Sequence, residues 1–308
     1  MKILNRAFNF KEDYNNVINF LRELYLENRR QKGWLAQRFE DMEYRVNPLY
    51  MEWGKENWHP CIRLWENDGI IVGVAVGEEP NNLCPCIKEN YELIFNEMLD
   101  WKEDVLKDKN KKLIVAIQDC QKYFIDELIN REYILHKELT YCKSQNVKGG
   151  HNIKLPEGYS IISGYDTQNA ENIIKKYRSL HLGFHPEKEG DPNYINVEAI
   201  SFWVRERAPM FNYRYEIMTK NDDDEICSYM YTWVDKKTST AYIEPVSTRK
   251  AHRRKGLAKA MIYKTLDILA EDKIEKCFVN PYNDERNVIY SACGFNTDNI
   301  EYWYEKMI

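Results

Sequence analysis

No apolar run in this chain approaches the ~20 residues that a bilayer-spanning helix needs, so a helical membrane span is excluded. Met1-Lys2-Ile3-Leu4-Asn5-Arg6 holds neither a hydrophobic signal core nor a small-residue cleavage site, and a cytoplasmic location is the expectation. An excess of positive charge is missing as well, since the net charge is −5 and the pI about 5.8. Phosphate backbones require a basic face, so nucleic acid is not an expected partner. Metal-ligand clusters are equally scarce. Of the cysteines at 61, 84, 86, 120, 142, 227, 277 and 293, only Cys84-Pro85-Cys86 forms a close pair, and no other Cys or His is clustered beside it to complete four ligands. No metal is expected, and the cysteines read as free, mostly buried thiols.

What the chain does have is length and pattern. Its 308 residues are generous for one core and comfortable for two. Apolar periodicity predicts a helix over Lys11 to Arg29, strands at Cys61–Glu66 and Ile70–Val76 across the turn Asn67-Asp68-Gly69, and a helix from Glu89 to Leu106. A strand over Lys112–Ile117 and a helix over Lys122–Asn130 follow. The polar stretch from Ser144 to His151 is the best linker candidate. Beyond it, Tyr159–Ser163 reads as a strand and Asp166 as the N-cap of a helix, with a second helix at Asn196–Arg207. Strands at Tyr213–Thr219, Ile226–Val234 and Thr240–Val246 lead to a long helix over Gly256–Ala270. A strand at Lys276–Val279, a helix at Asp284–Cys293 and a strand at Ile300–Lys306 complete the order.

The segment with the most chemical content is Arg253-Arg254-Lys255-Gly256-Leu257-Ala258, between the strand ending at Val246 and the long helix. A glycine at a helix start lets backbone N–H groups converge on an anion, and neighbouring cations suit a pyrophosphate. Arg249, Lys250, Arg253, Arg254, Lys255 and Lys259 occur there with no acid among them. Cations at the positive end of a helix dipole oppose local stability, and an anionic ligand would offset that cost. A solvated, lysine-rich helix start is the other reading.

Val246-Ser247-Thr248 followed by Arg253-x-x-Gly256-x-Ala258 resembles the acyl-CoA pyrophosphate motif of the GNAT N-acetyltransferases. Asn283, Tyr290 and Gly294-Phe295 fall where that family has its N…Y-x-x-x-G-F segment. The resemblance covers Tyr159 to the C-terminus well and is faint before it. It implies an α/β fold of tandem GNAT-like (acyl-CoA N-acyltransferase) domains, each a mixed, largely antiparallel sheet flanked by helices. Leu128-Ile129-Asn130-Arg131-Glu132-Tyr133 can be laid on Tyr290-Ser291-Ala292-Cys293-Gly294-Phe295, a weak internal repeat. Residues 1–148 are therefore expected to be a degenerate copy: Leu128 replaces the tyrosine, and Glu79-Pro80-Asn81-Asn82-Leu83 carries no Arg-x-x-Gly. Residues 149–308 would be the acetyl-CoA-binding catalytic domain.

The resemblance implies backbone contacts from Val246, Ser247 and Thr248 to the pantetheine arm. It implies diphosphate contacts from Arg253, Arg254, Lys255, Gly256, Leu257, Ala258 and Lys259, with Asn283 and Tyr290 also on the cofactor. Tyr290, a phenol of pKa about 10, is the candidate acid for the departing thiolate, or else a core aromatic. Glu244, two residues before Val246, is the candidate base or else a solvated strand glutamate. His185, Trp203 and Tyr231, with His181, Tyr229 and Trp233, are candidates for the acceptor pocket that would serve equally as core. The function expected is direct acetyl transfer from acetyl-CoA to a primary amine of a small molecule or peptide. The alternative is a non-catalytic acyl-CoA-binding or sensing protein. The acceptor and the oligomeric state are not encoded in any motif.

Overall fold

Two successive passes of one element order appear in the computed structural model, which describes residues 3–107, 109–191, 200–282 and 284–308. The first pass runs β1 (Ile3–Ala7), α1 (Phe10–Asn28), α2 (Ala36–Asp41), a π turn at Met42–Val46, α3 (Asn47–Glu52), β2 (Arg63–Asn67), β3 (Ile70–Val76), β4 (Asn82–Ile87), α4 (Ile94–Leu106), β5 (Lys112–Gln118), α5 (Lys122–Asn130) and β6 (Ile134–Asn146). The second runs β7 (Tyr159–Ser163), α6 (Ala170–Phe184), α7 (Ile200–Arg205), β8 (Glu216–Asn221), β9 (Ile226–Asp235), β10 (Thr240–Thr248), α8 (Leu257–Glu271), β11 (Lys276–Val279), α9 (Asp284–Ala292) and β12 (Asn296–Met307).

The described strands form one sheet in the order β1-β2-β3-β4-β5-β12-β6-β11-β10-β9-β8-β7. Only β4–β5 and β10–β11 pair in parallel. The last strand of each pass lies against the other pass. Residues 301–307 of β12 pair with β5, and Lys143–Asn146 of β6 pair with Val279–Lys276 of β11. The two exchanged strands also pair with each other. A cut at 148/149 therefore falls just after a strand held entirely by the second pass.

On one face of the sheet, the helices of both passes share a single apolar cluster that includes Val17, Leu21, Phe39, Tyr177, Phe202, Tyr231 and Trp233. Each fully buried apolar side chain of this size contributes ~1.5–3 kcal/mol, so this cluster outweighs any single polar contact in joining the passes. The opposite face carries two separate cores. Phe95, Leu99 and Phe124 cover the first pass, and Met261, Leu266 and Phe295 cover the second.

Several sequence expectations are corrected by tertiary context. Ser144–Asn146 belong to β6 rather than to a linker, because the ladder to β11 satisfies their backbone. Asp166 lies in a 3₁₀ turn, Gly164–Thr167, in a capping box with Ser163; α6 is capped instead by Asn169, whose side chain accepts from the Asn172 N–H. The helix expected from Glu89 begins at Ile94. The second helix of the later pass is Ile200–Arg205, its expected residues 196–199 lying outside the described residues. Glu79–Leu83 is the β3–β4 connection and the start of β4, so the counterpart of the basic loop is the segment Lys88 to Leu93. The repeat itself is matched in detail. Tyr133 N–H donates to the Leu128 carbonyl at 2.9 Å and Phe295 N–H to that of Tyr290 at 3.0 Å. Glu132 and Gly294, both with positive φ, form the same turn.

Because β6 and β12 are exchanged, segments 1–148 and 149–308 should not fold well apart. Produced separately they are expected to show no sharp thermal transition; co-expressed, they should co-purify and melt together. Two sharp, independent melts from the isolated segments would contradict this account of the sheet.

Candidate active site

The site begins with a gap between two parallel strands. β10 pairs with β11 only over Thr240–Tyr242, and its ladder to β9 is interrupted by an extra residue between Ile243 and Val246. A bulge of this kind bends a strand, and Pro245 has no N–H to restore the pairing. Beyond Tyr242 the strands separate around a cleft of about 470 Å³. Glu244, Val246, Ser247 and Thr248 line one wall, Val279 and Asn280 the other, and residues of α8 and α9, Tyr290 among them, close it.

The C-terminal end of α6 is pressed against β10. A Cβ on Gly183 would lie 2.5 Å from the Ser247 Cβ and 3.1 Å from the Thr248 nitrogen, so only glycine permits this approach. Arg253 fastens the junction. Its Nη2 donates to the Gly183 carbonyl at 2.7 Å and its Nε to the Thr248 carbonyl at 3.0 Å. The guanidinium thus joins strand to helix as well as lining the cleft.

Gly256 starts α8 with φ 80°, and no atom lies within 4 Å of the position a Cβ would take. No acidic residue occupies the first turn. Among the described residues, none accepts from the backbone N–H groups of Lys255, Gly256, Leu257, Ala258 and Lys259. Five donors without acceptors at the positive end of a helix, four of them on residues that line the cleft, form an anion cradle. The counterpart in the first pass differs. There the N–H groups of Tyr91, Ile94, Phe95 and Asn96 donate to carbonyls of the same turn, and that of Asn90 to the Glu92 side chain. The donors of its first helical turn are thus already used, and Glu89 and Glu92 add negative charge.

Glu244 sits deep in the cleft with 39% of its side chain accessible. Desolvation, only partly opposed by the nearby Arg45 charge, pushes its carboxyl up to about 7. The Arg45 Nη2 lies 3.5 Å from Glu244 Oε1. Tyr290 is buried on α9, with its ring edge-on to Phe295 at 5.9 Å. Burial, with the Glu244 charge adding, raises its phenol well above the ordinary range, so the hydroxyl keeps its proton at neutral pH.

Of the residues expected at the site, Glu244, Val246, Ser247, Thr248, Arg253, Arg254, Gly256, Leu257, Ala258, Lys259 and Tyr290 all line this one cleft. Lys255 does not; its ammonium donates to the Tyr159 hydroxyl at 2.6 Å. Asn283 lies outside the described residues. Tyr231 is wholly buried, stacked on Phe211 and accepting from the Asn212 N–H, so it is core; Tyr229 and Trp233 are core too. His185 ends α6 beside Glu187, and Trp203 is exposed on α7; neither lines the cleft. His181 is buried against Tyr177, which drives its imidazole down to about 3 and keeps it neutral.

Sequence reasoning missed Gly183, Asn280, Arg286 and Arg45. Asn280 is buried at the cleft with neither amide atom hydrogen-bonded among the described residues, and Arg286 lies over the Tyr282 ring. Position after β11 and one helical turn before Tyr290 were available signals for these two. Nothing local marks Arg45, which comes from the first pass. Glu225, Cys227 and His252 also bring ligand atoms within 4.8 Å of one another, though Glu225 is already ion-paired with Arg249.

Residues 175–295 match the model of the acetyltransferase (GNAT) family. No curated protein matches the sequence. Among solved structures, the fold is similar to that of a tandem GNAT protein from the clavulanic acid biosynthesis pathway. That match has 9% identity and TM-score 0.65, over 99% of this chain and 98% of that one. It is also similar to a GCN5-related N-acetyltransferase from Sphaerobacter thermophilus (10% identity, TM-score 0.58, 99% and 95% covered). An acetyltransferase of the GNAT family from Colwellia psychrerythraea matches at 10% identity and TM-score 0.54, with 99% of both chains covered. The second pass carries a GNAT-family domain, and the chain as a whole has the tandem GNAT fold.

Proposed function

We propose that this protein is an N-acetyltransferase that carries an acetyl group from acetyl-CoA directly to a primary amine of a small molecule or peptide. The observation that carries the reading is continuity: one cleft holds an anion cradle at one end and an acid–base pair, Tyr290 and Glu244, deeper in. Residues 149–308 supply the CoA site and the acid–base pair, and residues 1–148 are a degenerate copy without a CoA site. A cytoplasmic location accords with this reading, and no described helix is long and apolar enough to cross a membrane.

The residues present suit CoA. The N–H groups from Gly256 to Lys259 would hold the diphosphate, with Lys259 and Arg254 adding charge. The open edge of β10 from Glu244 to Thr248 would take the pantetheine arm, and the Asn280 amide offers one donor and one acceptor to an amide of that arm. Acetyl-CoA supplies the activated acyl group. An alkylamine of pKa about 10 is almost wholly protonated at neutral pH, so a proton acceptor is needed. Glu244 is suited to that role because its base form is well populated at pH 7. The Tyr290 hydroxyl would give its proton to the departing thiolate sulfur.

A thiol-release assay with acetyl-CoA and a panel of amines tests the reaction; CoA binding without release by any amine would favour a sensor. Gly256→Val should weaken CoA binding more than tenfold, about 1.4 kcal/mol, because a β-branched residue resists φ 80° and fills the cradle. Calorimetric titration giving equal affinities would move the diphosphate elsewhere. Tyr290→Phe should lower kcat by roughly 10²–10⁴ at nearly unchanged CoA affinity, since the ring keeps its packing. Wild-type turnover would leave Tyr290 a core aromatic. For Glu244 the sign follows from its raised pKa: the base form grows as pH rises through about 7. The kcat/KM profile should show an acid limb near that pH. In Glu244→Gln that limb should vanish and the optimum move upward; an unchanged profile would remove Glu244 as the base.

A further inference from the structure

A row of polar contacts joins the first pass to β10, which carries Glu244, and to its neighbour β9. Arg22 Nε donates to Asp235 at 2.8 Å, and Gln37 Nε2 donates to the Thr240 carbonyl at 3.2 Å and to its hydroxyl at 2.6 Å. Arg38 Nη1 lies 3.5 Å from the Tyr242 hydroxyl, and Trp233 Nε1 donates to Asp41 at 2.8 Å. Arg45 ends the row. Its Nε and Nη2 fork onto the two oxygens of Asp41 at 2.5 Å each, and the same Nη2 is the atom 3.5 Å from Glu244. Gln37, Asp41 and Arg45 recur at helical spacing, so one helical face lies over β9 and β10 and delivers a cation to the cleft.

We propose that the first pass is a built part of the catalytic site, and that Arg45, locked by Asp41, is the positioning residue that holds the Glu244 carboxylate in place. This rests on Glu244 acting as the base. With 39% of its side chain accessible, the Glu244 carboxylate needs a partner to fix its rotamer. An arginine free to rotate would fix it poorly, because ordering a long side chain costs entropy. The Asp41 fork pre-orders the guanidinium, and Trp233 pre-orders Asp41. Only 9% of the Arg45 side chain is exposed, so its charge is held in place beside the more accessible Glu244. The degenerate copy then has a role that needs no cofactor: it brings a second cation, beside Arg286 of the second pass, to Glu244.

The groups facing Glu244 are Arg45, Asp41, Arg38 and Glu78 from the first pass, Arg286 and Tyr290 from α9, and Tyr242 on its own strand. Arg45 favours the ionised carboxylate and Asp41 disfavours it. Removing either charge should therefore move Glu244, in opposite directions, and the positioning role is read separately from Arg45→Lys, which keeps the charge.

The test is a ¹³C NMR titration of the full chain labelled at glutamate side chains, with the Glu244 signal assigned by its loss in Glu244→Gln. Arg45→Met should raise the Glu244 midpoint by about one pH unit, and Asp41→Asn should lower it. Arg45→Lys, which keeps the charge without the fork, should leave the midpoint near wild type while lowering kcat for thiol release from acetyl-CoA with the acceptor the amine panel identifies. Midpoints unmoved in Arg45→Met and Asp41→Asn would overturn the proposal. Should Arg45→Met not fold, Arg45→Lys decides: a kcat equal to wild type there would overturn the positioning role. Midpoints that move as expected, beside a Glu244→Gln enzyme with an unchanged pH profile, would overturn the base assignment and leave the Arg45 coupling standing.

Discussion

The exchange of β6 and β12 is the constraint on which the rest of this molecule depends. Each pass gives its last strand to the other, so neither sheet is complete without the other, and β11 is braced by a strand from the first pass. The separation of β10 from β11 opens one wall of the cleft while the other is held at its far edge. A parallel pair of three residues would be a weak support for a binding site; the central position of β11 in a twelve-stranded sheet makes it a rigid one. The shared apolar cluster then sets the angle between the helices of both passes, and the helical face from Gln37 to Arg45 lies where a simple linker would never have placed it.

Two copies of one topology differ in chemistry for local reasons. The parallel strands of the first pass also part early, after Leu83 and Val115, and a small cavity of about 120 Å³ lined by Trp34, Cys84 and Glu301 lies there. Divergence of these strands is thus a property of the fold. What distinguishes the passes is the loop that follows. In one, the backbone donors of the helix start have no acceptor and stand beside lysines and arginines; in the other, those of the first helical turn are bonded within it beside glutamates. A few residues per loop decide whether the same architecture offers a site for an anion.

Much of this was legible in the sequence where the signal was local. Lys122–Asn130, Tyr159–Ser163, Ile70–Val76 and Lys276–Val279 have the limits their periodicity implies. The cradle was readable because glycine, basic residues and a helix start are adjacent in the chain. The elements that were not foreseen owe their form to distant partners. β6 is a strand because β11 and β12 pair with it, and β4 survives Cys84-Pro85-Cys86 because Val76, Ala75 and Val74 complete its ladder. Tyr231 and Trp233 looked like pocket aromatics, yet a strand with both faces buried gives no alternation from which to choose a side. Arg45 lies about two hundred residues from Glu244, and no spacing rule reaches that far.

The position of β12 also bears on how the chain acquires its structure. It is synthesised after every other strand described, yet its place is near the centre of the sheet, between β5 and β6. Until it arrives, two interior edges stand open, each with unpaired backbone groups of the kind that template aggregation. Closing them requires contacts between residues about half the chain or more apart, a topology that folds slowly. Loss of β12 would part the sheet down its middle and leave β10 and β11 attached to an unsupported edge.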